Sequence, residues 1–532
     1  MRWTGGRPAE GLVQDRLAEV AVEAARGGLL LFAGNTVSTV VLAVGAIVVA
    51  RLLGPEAYGL YALSAVGPGL FLLFTDFGVD VAVTRFSAKL RAEGRVQLAA
   101  GMLRSAILFK LVTVAVVLAV SAVLSESVAA QLLNRPGMGF LVRLAALAVP
   151  FQALLSTANS AFLGLDRVEY TALALSVQSI VKAVSGPLLV LLGFGVVGAV
   201  AGYVLGCAAG GASAFAMLFK HYRSLGGAVE GGGFGGNLRV MVAYGLPLYA
   251  SGFLGSLLVQ YQGVVLPHFA SNAEIGSLTV AMQFAAVIGV IAPPMTALFP
   301  AFSKLNPRGL EARRLFELSV RYTSLLVVPV AVAVVILSRD LIFAVYGACF
   351  SLAPLLLSTY GLTFLYAGIG LLVVGSLLLG AGETRLVLKA NLVNLAFYMP
   401  LVPALTALYG AVGAVLAGLV SNLSMLVYQL HGAKAKLGVS LNPSDSSRIY
   451  VASALSAAPT LLFLQASPLP SLTNVFIGGS LFLFTYLTAA PLLRAVHPSD
   501  ISNIAAILSR LRAGRLLNPI VAYEARLISA FA

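Results

Sequence analysis

Charged residues are scarce in this chain of 532 residues. Asp, Glu, Lys and Arg together make up only 10% of it, whereas 59% of the residues are hydrophobic. Ordinary soluble domains are about 25% charged. A water-soluble globule of this length could not bury so much apolar surface, which excludes a soluble enzyme, a nucleic-acid-binding protein and a disordered chain.

Cysteine and histidine are also rare. The two cysteines, Cys207 in an apolar run and Cys349 in a short loop, form neither a disulfide framework nor a metal-ligand spacing. The four histidines are scattered, and the Gly-rich stretch 226–236 follows no predicted strand, so it is not a phosphate-binding loop. The sequence therefore predicts no metal, no cofactor and no catalytic residue.

Long apolar runs are what the chain has in abundance. About fourteen runs have the length of roughly 20 residues that a membrane-spanning helix needs. The first begins near residue 28 and the last ends near residue 493. These runs predict an all-α polytopic membrane protein with about fourteen transmembrane helices.

The basic residues are distributed unevenly between the two sides of the membrane. The termini and every second gap between runs hold 28 of the 34 Lys and Arg residues. These 28 residues also account for most of the net charge of +14. Because basic loops stay on the cytoplasmic side, both termini are expected in the cytoplasm, with the protein in the cell membrane. The other gaps hold only Arg51, Arg135, Arg143 and Arg339, and two lysines, Lys110 and Lys182, lie inside the runs.

The two halves of the chain resemble each other. GLLLFAG at 28–34 matches GLPLYAS at 245–251, FLGLDR at 162–167 matches LLGAGE at 378–383, and GVVGAV at 195–200 matches GAVGAV at 410–415. The offsets of these matches agree closely, so spans one to six repeat as spans seven to twelve. An even number of spans gives a parallel pseudo-two-fold repeat, which is a transporter architecture.

The repeat predicts two six-helix lobes followed by two extra helices. The expected segments are a cytoplasmic N-terminal segment (1–27), an N-terminal lobe (28–218), a cytoplasmic linker (219–239), a C-terminal lobe (240–430), two additional transmembrane helices (431–494) and a cytoplasmic amphipathic tail (495–532).

One charge is predicted near the middle of the membrane. Lys182 lies about halfway along span five, on one helical stripe with Thr171, Gln178 and Ser185. A charge at this depth costs about 2.5–3.5 kcal/mol on insertion scales, so it requires a reason. Either the stripe faces a wet cavity, where Lys182 and Gln178 bind substrate, or it is buried within the first lobe.

Three further charges lie near the cytoplasmic ends of neighbouring spans. Asp76 and Asp80 end span two, and Lys110 lies at comparable depth in span three. They predict a structural ion pair or, alternatively, a proton or sodium site that couples transport to an ion gradient.

Arg51 and His268 are related by the repeat, and each ends the first helix of its lobe on the outer side. Two basic groups facing a central cleft would suit a phosphate-bearing ligand, because Arg makes bidentate contacts with phosphate oxygens. Asn35, Gln260 and Gln262 add hydrogen-bonding groups for sugar hydroxyls in the same two helices. The alternatives are interfacial anchoring by the two basic residues and polar contacts between helices by the amides.

Two motifs near the first loop and a third after span four resemble a known family. LLGPEAYGLYAL (52–63), TDFGVDVAVTRF (75–86) and FLGLDRVEY (162–170) are similar to the polysaccharide transporters, or O-antigen-type oligosaccharide flippases, of the multidrug/oligosaccharidyl-lipid/polysaccharide exporter superfamily. The resemblance covers roughly residues 25–430. It implies a V-shaped pair of six-helix lobes in which helices one, two, seven and eight line a basic cavity for the lipid-linked diphosphate. Spans one and seven of this chain lack the mid-depth Arg of the most cationic cavities.

Three functions remain open at this point. The resemblance favours a transporter that flips lipid-linked oligosaccharide or polysaccharide precursors from the cytoplasmic to the outer leaflet by alternating access. Its partners would be that substrate, membrane lipids and polysaccharide-assembly enzymes. The alternatives are a cation-coupled multidrug or small-molecule antiporter on the same fold and a membrane-embedded glycosyltransferase.

Overall fold

The structure is a computed structural model, and it describes residues 9–224, 233–291, 298–441, 443–496 and 500. Within these ranges the chain is helical and contains no strand. The helices are α1 (Ala9–Ser64), α2 (Val66–Leu72), α3 (Val79–Ala92), α4 (Val96–Ser127), α5 (Gly139–Ala146), α6 (Ala148–Gly164), α7 (Val168–Leu189), α8 (Gly195–Ser224), α9 (Phe234–Val265), α10 (Asn272–Ile291), α11 (Leu298–Ser303), α12 (Leu310–Val345), α13 (Ala353–Leu365), α14 (Leu371–Gly380), α15 (Thr384–Leu437), α16 (Pro443–Ala466) and α17 (Ser471–Leu492).

Many of these helices have the length and composition of membrane spans. Among the described residues, eight helical stretches qualify, or up to ten if each of two bent pairs forms one span. Large apolar side chains point outward from them, such as Val123, which is 77% exposed, and Leu462, which is 68% exposed. An outward apolar surface of this kind is stable in lipid rather than in water. The chain is therefore a multi-pass helical membrane protein, as the sequence predicts.

The number of fourteen spans is not confirmed. Three of the stretches, Thr36–Leu72, Val168–Lys220 and Thr384–Leu437, each cover two predicted spans. Inside them, Gly54, Gly193 and Gly410 have φ values of 73°, 93° and 57°. Glycine adopts this left-handed region without steric cost, so the helix direction changes there while the helical hydrogen bonding continues on both sides. Hydropathy divides each of these stretches into two spans, whereas in the structure each stretch is one helical segment with a break inside it.

Unusual backbone conformations recur at positions that the repeat matches. Gly195 has φ 51° and ψ −132°, and its counterpart Gly410 has φ 57° and ψ −141°. Asp166 and its counterpart Gly382 are both left-handed, with φ 58° and 77°. The helices that follow, α7 and α15, begin two residues later in each copy. The weak sequence matches therefore mark the same local structure in both halves.

Side-chain and backbone contacts repeat as well. A Cβ on Gly198 would lie 2.9 Å from Leu189 O, and a Cβ on the matching Gly413 would overlap Leu405 O. In each half, glycine at this position lets a helix pass close to the preceding turn. Two polar links also correspond, since Gln178 contacts Cys207 Sγ at 3.5 Å and Asn394 contacts Asn422 Oδ1 at 3.3 Å.

The chain divides into two compact units, residues 1–268 and 269–532. The core of the first unit joins α3, α4, α6, α7, α8 and α9, with Leu103, Phe162 and Met241 among its buried side chains. Met241 belongs to α9, the helix that the repeat assigns to the start of the second copy. In the structure this helix packs in the first unit.

The second unit contains the two helices that lie outside the repeat. Helices α16 and α17 pack against each other and against α12. Val328, Ile449 and Phe482 belong to the buried cluster that joins the three helices. The extra pair is therefore attached to the second unit through an apolar core.

Some predicted segments fall outside the described residues. The amphipathic tail (495–532) is described only at residues 495, 496 and 500, and the linker (219–239) lacks residues 225–232. The lobe boundaries and the orientation in the membrane stay predictions.

Candidate functional site

The predicted site residues all belong to the first unit, which ends at His268. Most of them fall into three groups. One group surrounds Asp80 between α3, α4 and α6, the second surrounds Lys182 between α6, α7 and α8, and the third lies just after the ends of α4 and α9, near His268.

The first group is an ion cluster that the structure assembles from three predicted residues. Lys110 Nζ lies 2.9 Å from Asp76 Oδ1 and 3.1 Å from Asp80 Oδ2. The lysine side chain is 1% exposed, and the two carboxylates are 20% and 10% exposed. At this degree of burial an ammonium group requires such partners, because each charge loses its hydration.

Hydrogen bonds from other groups complete the cluster. Ser156 and Thr157 of α6 donate to the two oxygens of Asp80, each at 2.7 Å. Asp76 accepts from the backbone N–H groups of Gly78 and Asp80, so it also caps the start of α3. Every carboxylate oxygen thus has a donor, and the ammonium occupies the position between the carboxylates. These contacts fit the structural alternative, while ion coupling stays a prediction.

The second group places Lys182 within the first unit. Its ammonium lies 5.0 Å from the centroid of the Tyr203 ring, a cation–π contact with α8. Among the ion pairs of the described residues, none includes Lys182. The ammonium therefore contacts an aromatic face and has no carboxylate partner in the part of the chain that the structure describes.

Gln178, one helical turn before Lys182, is held by its neighbours. Its amide Nε2 donates to Gln152 Oε1 of α6 at 2.9 Å and contacts Cys207 Sγ of α8 at 3.5 Å. Further along the stripe, Ser185 donates to Gly202 O at 3.2 Å. The stripe thus faces α6 and α8 of its own unit.

Glycines of α8 explain how α7 approaches so closely. Gly198, Gly202, Gly206 and Gly210 recur every four residues and so form one face of the helix. A Cβ on Gly206 would lie 2.5 Å from Lys182 Cβ, and one on Gly210 would lie 2.7 Å from Gln178 Cβ. Small residues at such spacing let two membrane helices pack backbone to backbone. This packing fixes where the lysine and the glutamine lie.

The third group surrounds His268. Its Nδ1 lies 2.9 Å from Val264 O, and its Nε2 lies 3.3 Å from Gln131 O, four residues after the end of α4. Beside it, Arg135 donates to Pro267 O at 2.9 Å. The histidine is exposed but positioned by two carbonyl oxygens, of which a neutral imidazole can serve only one and an imidazolium both. Arg51 is exposed in α1, three residues before the break at Gly54.

Two of the three predicted amide side chains, those of Gln260 and Gln262, lie within the described residues. Gln260 of α9 lies against Gly69 of α2, where a Cβ would overlap the amide group. Gln262 is partly buried in the same helix. The side chain of Asn35 lies outside the described residues.

Several partners were missed at the level of sequence. The sequence did not single out Gln152, Tyr203 or the Ser156–Thr157 pair, and it considered Cys207 only as a disulfide or metal-ligand candidate. Tyr203 and Cys207 are one turn apart and flank Gly206, so the four-residue glycine spacing of α8 was the available signal. Gln152 and Ser156 also lie one turn apart on α6. Residues one turn apart lie on the same face of their helix, but this spacing does not identify the neighbouring helix that the face contacts.

The family assignment follows from a comparison with known protein families. Residues 24–306 match the model of the family described as polysaccharide biosynthesis protein. The chain belongs to this family. The matched region includes all three groups of polar residues.

Two kinds of relative agree with this assignment. The probable low-salt glycan biosynthesis flippase Agl15 of Haloferax volcanii is 22% identical over 495 residues, which cover 91% of this chain and 99% of the relative. Among solved structures, a lipid II flippase MurJ in an inward closed conformation superposes with a TM-score of 0.72 at 14% identity, covering 87% of this chain and 98% of the other. An inward-facing multidrug resistance transporter of the MATE family gives 0.62 at 15% identity, covering 75% and 94%. These two likenesses establish the fold.

Proposed function

We propose that this protein moves lipid-linked oligosaccharide or polysaccharide precursors from the cytoplasmic to the outer leaflet of the cell membrane by alternating access. The observation that carries the proposal is Lys182, a cation within a membrane-spanning unit that has no carboxylate partner among the described residues. A charge at such a position is retained for function, since it is costly to insert. Membership of the polysaccharide biosynthesis family and the relative named as a glycan biosynthesis flippase support this substrate class.

The proposed mechanism separates the two parts of the substrate. The lipid tail can remain in the bilayer, whereas the charged and hydroxylated head requires a polar path that is open at one end at a time. No bond is broken, so the protein acts as a transporter and not as an enzyme. The affinity for the head must be similar in the two states, because a much tighter state would retain it.

The residues are assigned by their chemistry. Arg51 and His268 bind the phosphates, and Lys182 with Gln178 binds the phosphates or the first sugar. Asn35, Gln260 and Gln262 contact sugar hydroxyls. Both termini are cytoplasmic, as the distribution of basic residues predicts.

Reconstituted vesicles with a fluorescent lipid-linked oligosaccharide test this proposal. Arg51→Ala is expected to lower the flipping rate without loss of folded protein, and Arg51→Lys to restore it only in part, because an ammonium lacks the bidentate geometry of a guanidinium. His268→Ala is expected to lower the flipping rate as well, because it removes a group assigned to the phosphates. Wild-type rates from these variants and from Lys182→Ala would place the substrate chemistry elsewhere.

A cation-coupled multidrug or small-molecule antiporter is the second candidate. The likeness to the MATE transporter supports it at the level of the fold, over a smaller share of the chain than the flippase structure. The same vesicles distinguish the two, since an antiporter would move a cationic drug only against an imposed proton or sodium gradient. Drug movement without movement of the lipid-linked oligosaccharide would favour this candidate.

A further inference from the structure

A groove lies along the start of α12, in the second unit. It is a cavity of about 780 Å³ between the first turns of α12 and the turn that follows α15, at residues 438–440. A smaller cavity of about 110 Å³ continues it toward the start of α16, and both are lined by Arg314, Glu317 and Leu318. Because α12 is long and apolar enough to span a membrane, the groove lies at the level of the phospholipid headgroups.

The groove is lined by charges of both signs. Arg313 and Arg314 line it together with Glu311 and Glu317. Glu317 lies four residues after Arg313 and three after Arg314, a spacing at which opposite charges on a helix commonly pair. Nevertheless, none of the four takes part in an ion pair with another described residue. Two guanidinium groups and two carboxylates therefore line the groove without direct contact between them.

Arg313 is held against the backbone of the neighbouring turn. A Cβ on Gly438 would overlap Arg313 Nη2, and Gly438 has φ 65°, which glycine adopts without steric cost. Arg313 Nε is buried and has no hydrogen-bond partner in the described part of the chain. A buried donor of this kind requires an acceptor, and a phosphate oxygen of a bound ligand would supply one.

Leucine side chains provide apolar surface beside these charges. Leu310, the first residue of α12, is 82% exposed, and Leu315 and Leu318 also line the groove. At the far end, Arg321 is bound by Asp500, with Nη2 2.5 Å from Oδ2, so its charge is already balanced. The groove thus combines an apolar wall with two cations and two anions, as the boundary between headgroups and acyl chains requires.

We infer that this groove binds a phospholipid whose headgroup carries a primary ammonium beside its phosphate, as phosphatidylethanolamine does. Arg313 and Arg314 bind the phosphate, and Glu317 accepts hydrogen bonds from the ammonium. The leucines contact the first methylenes of the acyl chains. A groove lined by basic residues alone would favour an anionic phospholipid. Charges of both signs favour this headgroup instead, because each of its charges then meets an opposite one.

Mass spectrometry of the intact full-length protein, delipidated in detergent and mixed with one lipid at a time, measures the binding. Phosphatidylethanolamine is expected to bind several-fold more tightly than two lipids of equal chain length. Phosphatidylcholine has no N–H group to donate to Glu317, and phosphatidylglycerol has no ammonium. Tighter binding of phosphatidylglycerol than of phosphatidylethanolamine would indicate an ordinary basic surface and would overturn the inference.

Two neutralising variants separate the two parts of the headgroup. Arg314→Gln is expected to weaken the binding of phosphatidylethanolamine and phosphatidylglycerol alike, because both contain the phosphate. Glu317→Gln is expected to weaken only phosphatidylethanolamine, so that the preference between the two lipids is lost. Arg167→Gln and Glu169→Gln, an exposed pair in the first unit, match these changes in charge and are expected to alter neither affinity. Equal affinities of wild type and Glu317→Gln for phosphatidylethanolamine, or an equal loss for both lipids, would reject the assigned headgroup.

A cysteine in the groove tests the location. Leu318→Cys, in a chain carrying Cys349→Ser, is expected to react with a thiol reagent and to react several-fold more slowly with phosphatidylethanolamine bound. Cys207 is buried and serves as the internal background. An unchanged reaction rate at saturating lipid would place the lipid elsewhere. Protection of Leu318→Cys before any lipid is added would show that the chain itself fills the groove, and either result would overturn the inference.

Discussion

Lys110 is bound to Asp80 across two helices of the first unit, with Nζ 3.1 Å from Oδ2 and the lysine side chain 1% exposed. The pair is part of a cluster in which Asp76 shares the same ammonium at 2.9 Å. One ammonium is therefore shared by two carboxylates, and hydroxyl and backbone N–H groups supply the remaining donors. Burial makes the cluster sensitive to the loss of any member.

Replacing Lys110 is expected to destabilise the protein strongly. Lys110→Met leaves two buried carboxylates without a cation, which costs about 3–5 kcal/mol of unfolding free energy. Thermal unfolding in detergent measures the effect. Lys89→Met is the control, because its pair with Glu93 is exposed and contributes at most about 1 kcal/mol. Equal unfolding midpoints for the two variants would contradict a structural role for Lys110.

Replacing Lys182 is expected to affect transport rather than stability. Lys182→Met removes the charge while retaining most of the apolar volume, so the folded state does not lose an ion pair. We expect the flipping rate to fall at least about tenfold, equivalent to ~1.4 kcal/mol in the barrier. Tyr203→Phe keeps the aromatic face 5.0 Å from the ammonium and is expected to lower the rate far less. An intact rate in Lys182→Met would remove this residue from the substrate path.

The native cysteines report the orientation of the protein. Cys349 is exposed in the loop between α12 and α13, whereas Cys207 is buried in α8. The distribution of basic residues places the Cys349 loop outside the cell. Intact cells are therefore expected to show labelling of wild-type protein by an impermeant thiol reagent, and Cys349→Ser to abolish it. Labelling only after permeabilisation would invert the predicted topology.

The approach of α8 to α7 depends on glycine at one position in particular. Gly206→Ala would place a Cβ 2.5 Å from Lys182 Cβ, and this overpacking is expected to cost about 1–3 kcal/mol of stability. Gly418→Ala, in the second unit, has nothing within 4 Å of the new Cβ. It is expected to be neutral or stabilising by up to about 1 kcal/mol, since alanine favours a helix over glycine. The difference between the two unfolding midpoints measures the packing contribution, and its absence would exclude close contact at Gly206.

The sequence by itself determined that this is a helical membrane protein with an internal repeat. A chain this apolar lies in lipid, where helices satisfy the hydrogen bonds of the backbone. The unusual backbone conformations at Gly195 and Gly410 occur in sequence motifs that match between the two halves. The sequence also placed Asp76, Asp80 and Lys110 at one depth on adjacent spans. The number of fourteen spans is not confirmed, because hydropathy does not show whether a helix continues through a glycine.

Only the tertiary structure decided which faces meet. In the structure Lys110 binds both aspartates and Gln178 donates to Gln152. Lys182 lies over the Tyr203 ring, and α9 packs in the first unit. The physical reason is that lipid is as apolar as a helix surface, so hydropathy does not distinguish a face that contacts lipid from one that contacts a neighbouring helix. Close packing of small residues and a few hydrogen bonds make that choice, and both depend on residues far apart in the chain.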